Sequence, residues 1–164
     1  FLHSKDKCDD GECLDCGYKI YPTAEQFESR LDKFEAGCYM PDENSKEFSF
    51  CNVMYSSYVE WRDLLCTIIH GVDSMELMLN PENYENAPFY ELIFMSDSMG
   101  AIGPKTSAKL ALDFAKFREF FKERLPTFTQ KGWCFGSFEY AMGLYDDWHK
   151  GLMVASEEGF IVFK

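Results

Sequence analysis

Apolar residues recur along much of this chain at the three- and four-residue spacing of a single helix face. Pro22, Thr23 and Gln26 form a capping-box start, and Phe27, Leu31 and Phe34 follow on one stripe until Gly37 stops the helix as a C′ residue. Ser57 and Glu60 make a second capping box, ahead of Tyr58, Trp61, Leu64, Leu65, Ile68 and Ile69 on one face. His70 and Gly71 close that helix. A short helical turn fits Ser74 to Leu79. A long helix from about Thr106 to Leu125 carries Leu110, Phe114, Phe117 and Phe121 inward and ends at Pro126. The last helix spans Ser137 to Glu158. Phe138, Met142, Tyr145, Trp148, Leu152 and Ala155 line its inner face, with Gly159 as its cap.

Strand patterns are fewer. Phe48-Ser49-Phe50 starts an alternation that Val53-Met54-Tyr55 extends. Phe89 to Met95 is a nearly continuous apolar, aromatic run, the pattern of a strand buried on both faces. Phe160 to Phe163 closes the chain as another strand. Residues 38–47 and 72–88 are polar connections with Pro41, Pro81 and Pro88. The sequence has no internal repeat, low-complexity tract or linker. These elements predict an α+β fold, about four helices packed on a small sheet, in one domain over 1–164. Residues 1–22 form an irregular, cysteine-rich N-terminal segment of that domain.

Composition narrows the function. The chain of 164 residues is 46% hydrophobic and 17% aromatic, enough for a sizeable core. No apolar run approaches the roughly 20 residues of a membrane span. The net charge of −12 disfavours nucleic acid and anionic membrane surfaces, and suits a basic protein partner. It equally serves to keep so aromatic a chain soluble. The first residues have no signal-like apolar stretch, although a chain that does not begin with Met leaves room for an upstream segment. The seven cysteines are an odd number. Cys66 lies on an apolar stripe and Cys134 among aromatics, as buried thiols do, which points to a reducing cytoplasm.

The most specific chemical signal is Cys8-x4-Cys13-x2-Cys16 in a turn-rich stretch. A Cys-x2-Cys turn supplies two of the four tetrahedral ligands of a structural zinc, and Cys38 or His3 would complete the set. Free thiols, or a disulfide in an exported protein, are the alternatives, so the cofactor is either none or one zinc. Thioredoxin-like chemistry is disfavoured, because Cys13-Leu14-Asp15-Cys16 neither follows a strand nor opens a helix. Gly100 to Thr106 imitates a phosphate loop, but the spacing is wrong and Pro104 removes a needed N–H. His70 fits a helix C-terminus, and Asp146 and Asp147 lie about 100° apart, a poor chelating pair. Ser-centred elbows, His-Glu-x-x-His helices and EF-hand loops are absent from the sequence. The aromatic surplus on Phe114, Phe117, Phe120 and Phe121 reads first as core and second as a partner-binding patch.

Residues Leu92 to Pro104, with Ser96-Asp97-Ser98-Met99-Gly100 at their centre, and Ala108-Lys109-Leu110 beyond them, resemble a group of small uncharacterised phage and bacterial proteins. The stretch from Phe48 through Trp61 and the C-terminal Ala155 to Phe163 share the likeness, which covers about half of the chain. The resemblance implies no activity, but it singles out Asp97, Ser98 and Gly100 as a loop of interest. The sequence therefore favours a non-enzymatic acidic binding protein, of the immunity or anti-defence kind, that neutralises a protein partner. A small enzyme or ligand-binding domain using the Asp97–Gly100 loop is the alternative, and a zinc-stapled structural module the third.

Overall fold

The computed structural model describes residues 18–20, 32, 37–39, 49–50, 55–95, 101–129, 137–157 and 159–163. Among them lie β1 (Tyr18–Ile20), β2 (Gly37–Tyr39), α1 (Tyr55–His70), α2 (Ser74–Leu79), α3 (Tyr90–Phe94), β3 (Ala101–Ile102), α4 (Pro104–Thr129), α5 (Phe138–Ala155) and β4 (Ile161–Val162). A single 3-10 turn, Pro81–Asn83, follows α2. The class is α+β and mostly helical. The strands pair as two antiparallel ribbons, β1 with β2 and β3 with β4.

The helices form their core by packing on one another. Trp61 of α1 meets Phe121 of α4 at 5.9 Å and Tyr145 of α5 at 6.4 Å, both edge to face. Phe121 and Tyr145 rings lie 4.6 Å apart. All three side chains are fully buried, and each such ring contributes roughly 1.5–3 kcal/mol on leaving water. The Tyr145 hydroxyl donates to the Phe114 carbonyl at 2.8 Å, so its polar end is satisfied inside the core. Burial, ahead of the nearby Asp146, pushes the Tyr145 pKa up. One turn further along the same face of α5, Trp148 meets Phe50 edge to face at 4.9 Å and stacks with Tyr58 at 6.0 Å.

The inner faces read from the sequence of α1, α4 and α5 are those that the fold buries. Ser137 caps α5, its side chain accepting the Tyr140 N–H. The helix ends at Ala155 with Ser156 as its C-cap, short of the expected Glu158, and the Gly159 N–H donates to Ala155 O just beyond it. Other boundaries differ too. Ser57 lies inside the first turn of α1, which already begins at Tyr55. Tyr55 is therefore helical, and Ser49 and Phe50 are not in a strand; residues 51–54 lie outside the described set. Gly37 is the first residue of β2; of the expected first helix before it, all but Asp32 lies outside the described residues. Pro126 does not end α4, which continues to Thr129. The proline sits in the exposed last turn, where its missing N–H disturbs few further bonds.

The main correction concerns Phe89 to Met95. This run is the short helix α3, not a strand. Phe89 enters it in the left-handed region, with φ of 61°. Its ring is fully buried against the edge of Phe114 at 4.9 Å. The run is apolar because its side chains are enclosed between α1 and α4, and an enclosed helical turn leaves the same unbroken apolar signature as an enclosed strand.

Candidate functional site

Both ends of the loop singled out by the sequence are anchored. Asp97, Ser98 and Gly100 themselves lie outside the described residues. On the near side, Arg62 of α1 donates through Nη1 to the carbonyls of Met95 at 2.6 Å and Ile93 at 3.3 Å. It thereby takes up carbonyls that the end of α3 leaves without a helical partner. The Arg62 guanidinium also stacks over the Tyr58 ring at 4.8 Å. It is buried, and among the described residues it has no carboxylate partner. On the far side, Ala101 pairs with Val162 and Ile102 with Ile161. Asp32 then accepts the N–H groups of Lys105 at 3.0 Å and Thr106 at 2.8 Å, so a residue far back in the chain caps α4. Met95 and Ala101, the described residues on either side of 96–100, are thus both held in place.

The cysteines divide. Cys8, Cys13, Cys16, Cys51 and Cys134 lie outside the described residues, as does His3. Cys38 is in β2, with its Cα opposite Lys19 of β1. That register sets the Cys38 backbone beside the segment that follows Cys16. Cys66 is a buried free thiol, as its apolar stripe implies, and donates to the Asp73 carbonyl at 3.5 Å. Burial first, then Asp63 and Asp73, pushes its pKa up to about 12, which removes it as a nucleophile at neutral pH. Among the described residues no cluster of three or more His, Cys, Asp or Glu is arranged around a metal position.

One polar cluster was not legible in the sequence. It surrounds the entry to α3. Lys109 lies 2.6 Å from Glu91 and 2.9 Å from Asp113, and also donates to the Ala87 carbonyl at 3.2 Å. Asp113 accepts the Phe89 N–H at 2.9 Å. His70 donates from Nε2 to the Pro88 carbonyl at 2.9 Å, and its ring meets Tyr84 edge on. Burial lowers the His70 pKa, against the opposing effect of the Pro88 bond and Asp113. Each member of this cluster is committed to a neighbour, and together they fix the chain at Phe89.

Charge is unevenly spread along the sequence. Helix α4 carries six Lys and Arg against three Asp and Glu, a net +3 within a chain of −12, so the rest of the chain carries −15. Between His70 and Phe89 there is no Lys or Arg at all, while Asp73, Glu76, Glu82 and Glu85 supply four carboxylates. In the same stretch Met75 is 61% and Leu79 71% exposed, so two large apolar side chains of α2 stand in water within an acidic segment. The sequence reading missed this pairing because α2 is too short for its outer face to register as a stripe. Among the described residues no helix is long and apolar enough to cross a membrane.

No protein-family model matches the chain, and no curated protein or solved structure is significantly similar to it.

Proposed function

We propose that this chain is a non-enzymatic binding protein that acts by occupying a protein partner, in the manner of an immunity or anti-defence protein, and that the partner's surface is basic. The observation that carries the proposal is the segment from Asp73 to Glu85, where exposed Met75 and Leu79 sit among four carboxylates. Apolar side chains supply area to be buried on contact, and flexible methionine adapts to a partner's contour. The carboxylates supply attraction and select the sign of the partner. A reducing cytoplasm is the proposed setting, in keeping with the free buried Cys66.

The test is affinity capture with the full chain from extracts of the cells that make it. The expected result is a stoichiometric partner with a basic surface, bound less at high salt. Exchanging Glu76 and Glu82 for Lys should weaken capture by about tenfold or more. Absence of any stoichiometric protein overturns the proposal.

A second reading is favoured by the register of β1 and β2. The Cα of Cys38 lies opposite Lys19, close in the chain to Cys16, and this supports a zinc held by Cys8, Cys13, Cys16 and Cys38 as a staple of the N-terminal segment. Native mass spectrometry of the reduced protein, before and after a chelator, tests it. The reading requires a mass excess of one zinc that the chelator removes.

A further inference from the structure

One flank of α4 has the opposite character to the acidic segment. Lys116, Phe120 and Arg124 recur at four-residue spacing and so stand in one row along the helix. Arg124 lies over the Phe120 ring at 4.7 Å, and Lys116 over the ring of the adjacent Phe117 at 5.1 Å. Phe117 and Phe120 meet edge on at 6.4 Å, and Phe120 remains 37% exposed. The other cations of this stretch are neutralised. Arg118 binds Asp146 through two nitrogens and also Glu119, and Lys122 lies near Glu119. Among the described residues neither Lys116 nor Arg124 has a carboxylate partner, although the chain is strongly acidic.

We infer that this row is a second binding face, and that it takes an acidic segment of a protein. Lys116 and Arg124 are two helical turns apart, about 12 Å along the axis, with an aromatic ring between them. An extended peptide with carboxylates at its first and fifth positions spans about 13 Å and turns the third side chain to the same side. The matching pattern is therefore Asp/Glu-x-apolar-x-Asp/Glu. The carboxylates meet Lys116 and Arg124, and the apolar side chain covers Phe120. A polyphosphate is the weaker match, because the −15 carried outside α4 repels it along its whole length. A short acidic segment meets that repulsion over a few residues only. This face does not depend on the Met75–Leu79 surface, and each stands or falls by its own residues.

The test is selection of random twelve-residue peptides displayed on phage against the full chain, with the double variant Lys116→Glu and Arg124→Glu as counter-target. Both positions are exposed, and matching thermal melts and near-ultraviolet spectra verify that the variant is folded. The expected result is enrichment of the Asp/Glu-x-apolar-x-Asp/Glu pattern, with synthetic copies losing about tenfold or more in affinity on the variant. Peptides that are neutral or basic, or that bind the variant equally, overturn the inference. So does tighter, Lys116- and Arg124-dependent binding of an oligo-dT probe, which would make the face a nucleic-acid site. Concentration-dependent dimerisation that the variant abolishes would assign the row to a second copy of the chain and overturn it likewise.

Discussion

The carboxylate of Asp113 governs the backbone of Phe89: Oδ2 accepts the Phe89 N–H at 2.9 Å and lies at the same distance from Lys109 Nζ. A left-handed conformation costs a non-glycine residue roughly 1–2 kcal/mol. Here it is offset by burying the whole Phe89 ring and by the bond to Asp113. Removing that acceptor orphans the Phe89 N–H and takes from Lys109 one of its two carboxylate partners, leaving Glu91. Asp113→Ala should lower stability in urea by about 2–3 kcal/mol, and Asp113→Asn, which keeps an oxygen, by less. Equal losses in the two variants would show that the hydrogen bond is not what holds Phe89.

Asp32 caps α4 from a distance, through the N–H groups of Lys105 and Thr106. Asp32→Ala should cost about 1–2 kcal/mol, and Asp32→Asn a fraction of it, as for other helix caps. Hydrogen exchange at the amides of Lys105 and Thr106 gives a local readout. Protection there should fall in Asp32→Ala, and unchanged protection would contradict the contact.

Two glycines of α5 make opposite predictions from one helix. A Cβ at Gly151 would come within 2.5 Å of the Phe50 ring, whereas one at Gly143 meets nothing within 4 Å. Gly151→Ala should destabilise by about 1–3 kcal/mol, since Phe50 packs on Trp148 and has little room to retreat. Gly143→Ala should stabilise by about 0.5–1 kcal/mol through helix propensity alone. Thermal melts compare them directly, and a shared sign would mean that Phe50 does not pack on α5 as described.

His70 gives a pH dependence with a definite sign. Burial holds its folded pKa below the usual 6.5, so on acidification the unfolded chain takes up the proton first. Its contribution is fully present above 6.5 and declines as pH falls from there through the lower folded value. His70→Gln retains a donor for the Pro88 carbonyl but does not titrate. The stability of the native chain relative to this variant should therefore shrink across that window. A difference that stays constant with pH would place His70 in water.

How much of this was legible beforehand follows from what each residue packs against. Trp61, Phe114 and Tyr145 announce their helices, because each of these helices buries one face and leaves the other wet, and that asymmetry is written in the spacing. Phe89 to Met95 carries no such asymmetry. Its helical state is set by tertiary partners, Asp113 at its entry and Arg62 at its exit, which no local pattern records. The same holds for Lys109, an ordinary surface lysine in sequence that becomes the centre of a buried-edge ion cluster. Asp97, Ser98 and Gly100 were singled out by a resemblance and lie outside the described residues; the element before them is the helix α3 and not a strand. The contrast in sign between α4 and the rest of the chain is a matter of counting, yet its meaning depends on Arg118 and Lys122 being paired while Lys116 and Arg124 are not.

The central claim, that the acidic, apolar face of α2 docks a basic protein, is tested most directly by photocrosslinking from Leu79 in the cells that make the chain. A photoreactive residue at position 79 should yield one dominant adduct with a protein of basic surface. The same probe at Met153, an exposed apolar position on α5, should yield little of it. Lys substitutions at Glu76 and Glu82 should diminish the adduct while leaving the chain folded. Equal labelling from both positions, or no specific adduct from Leu79, would contradict the claim.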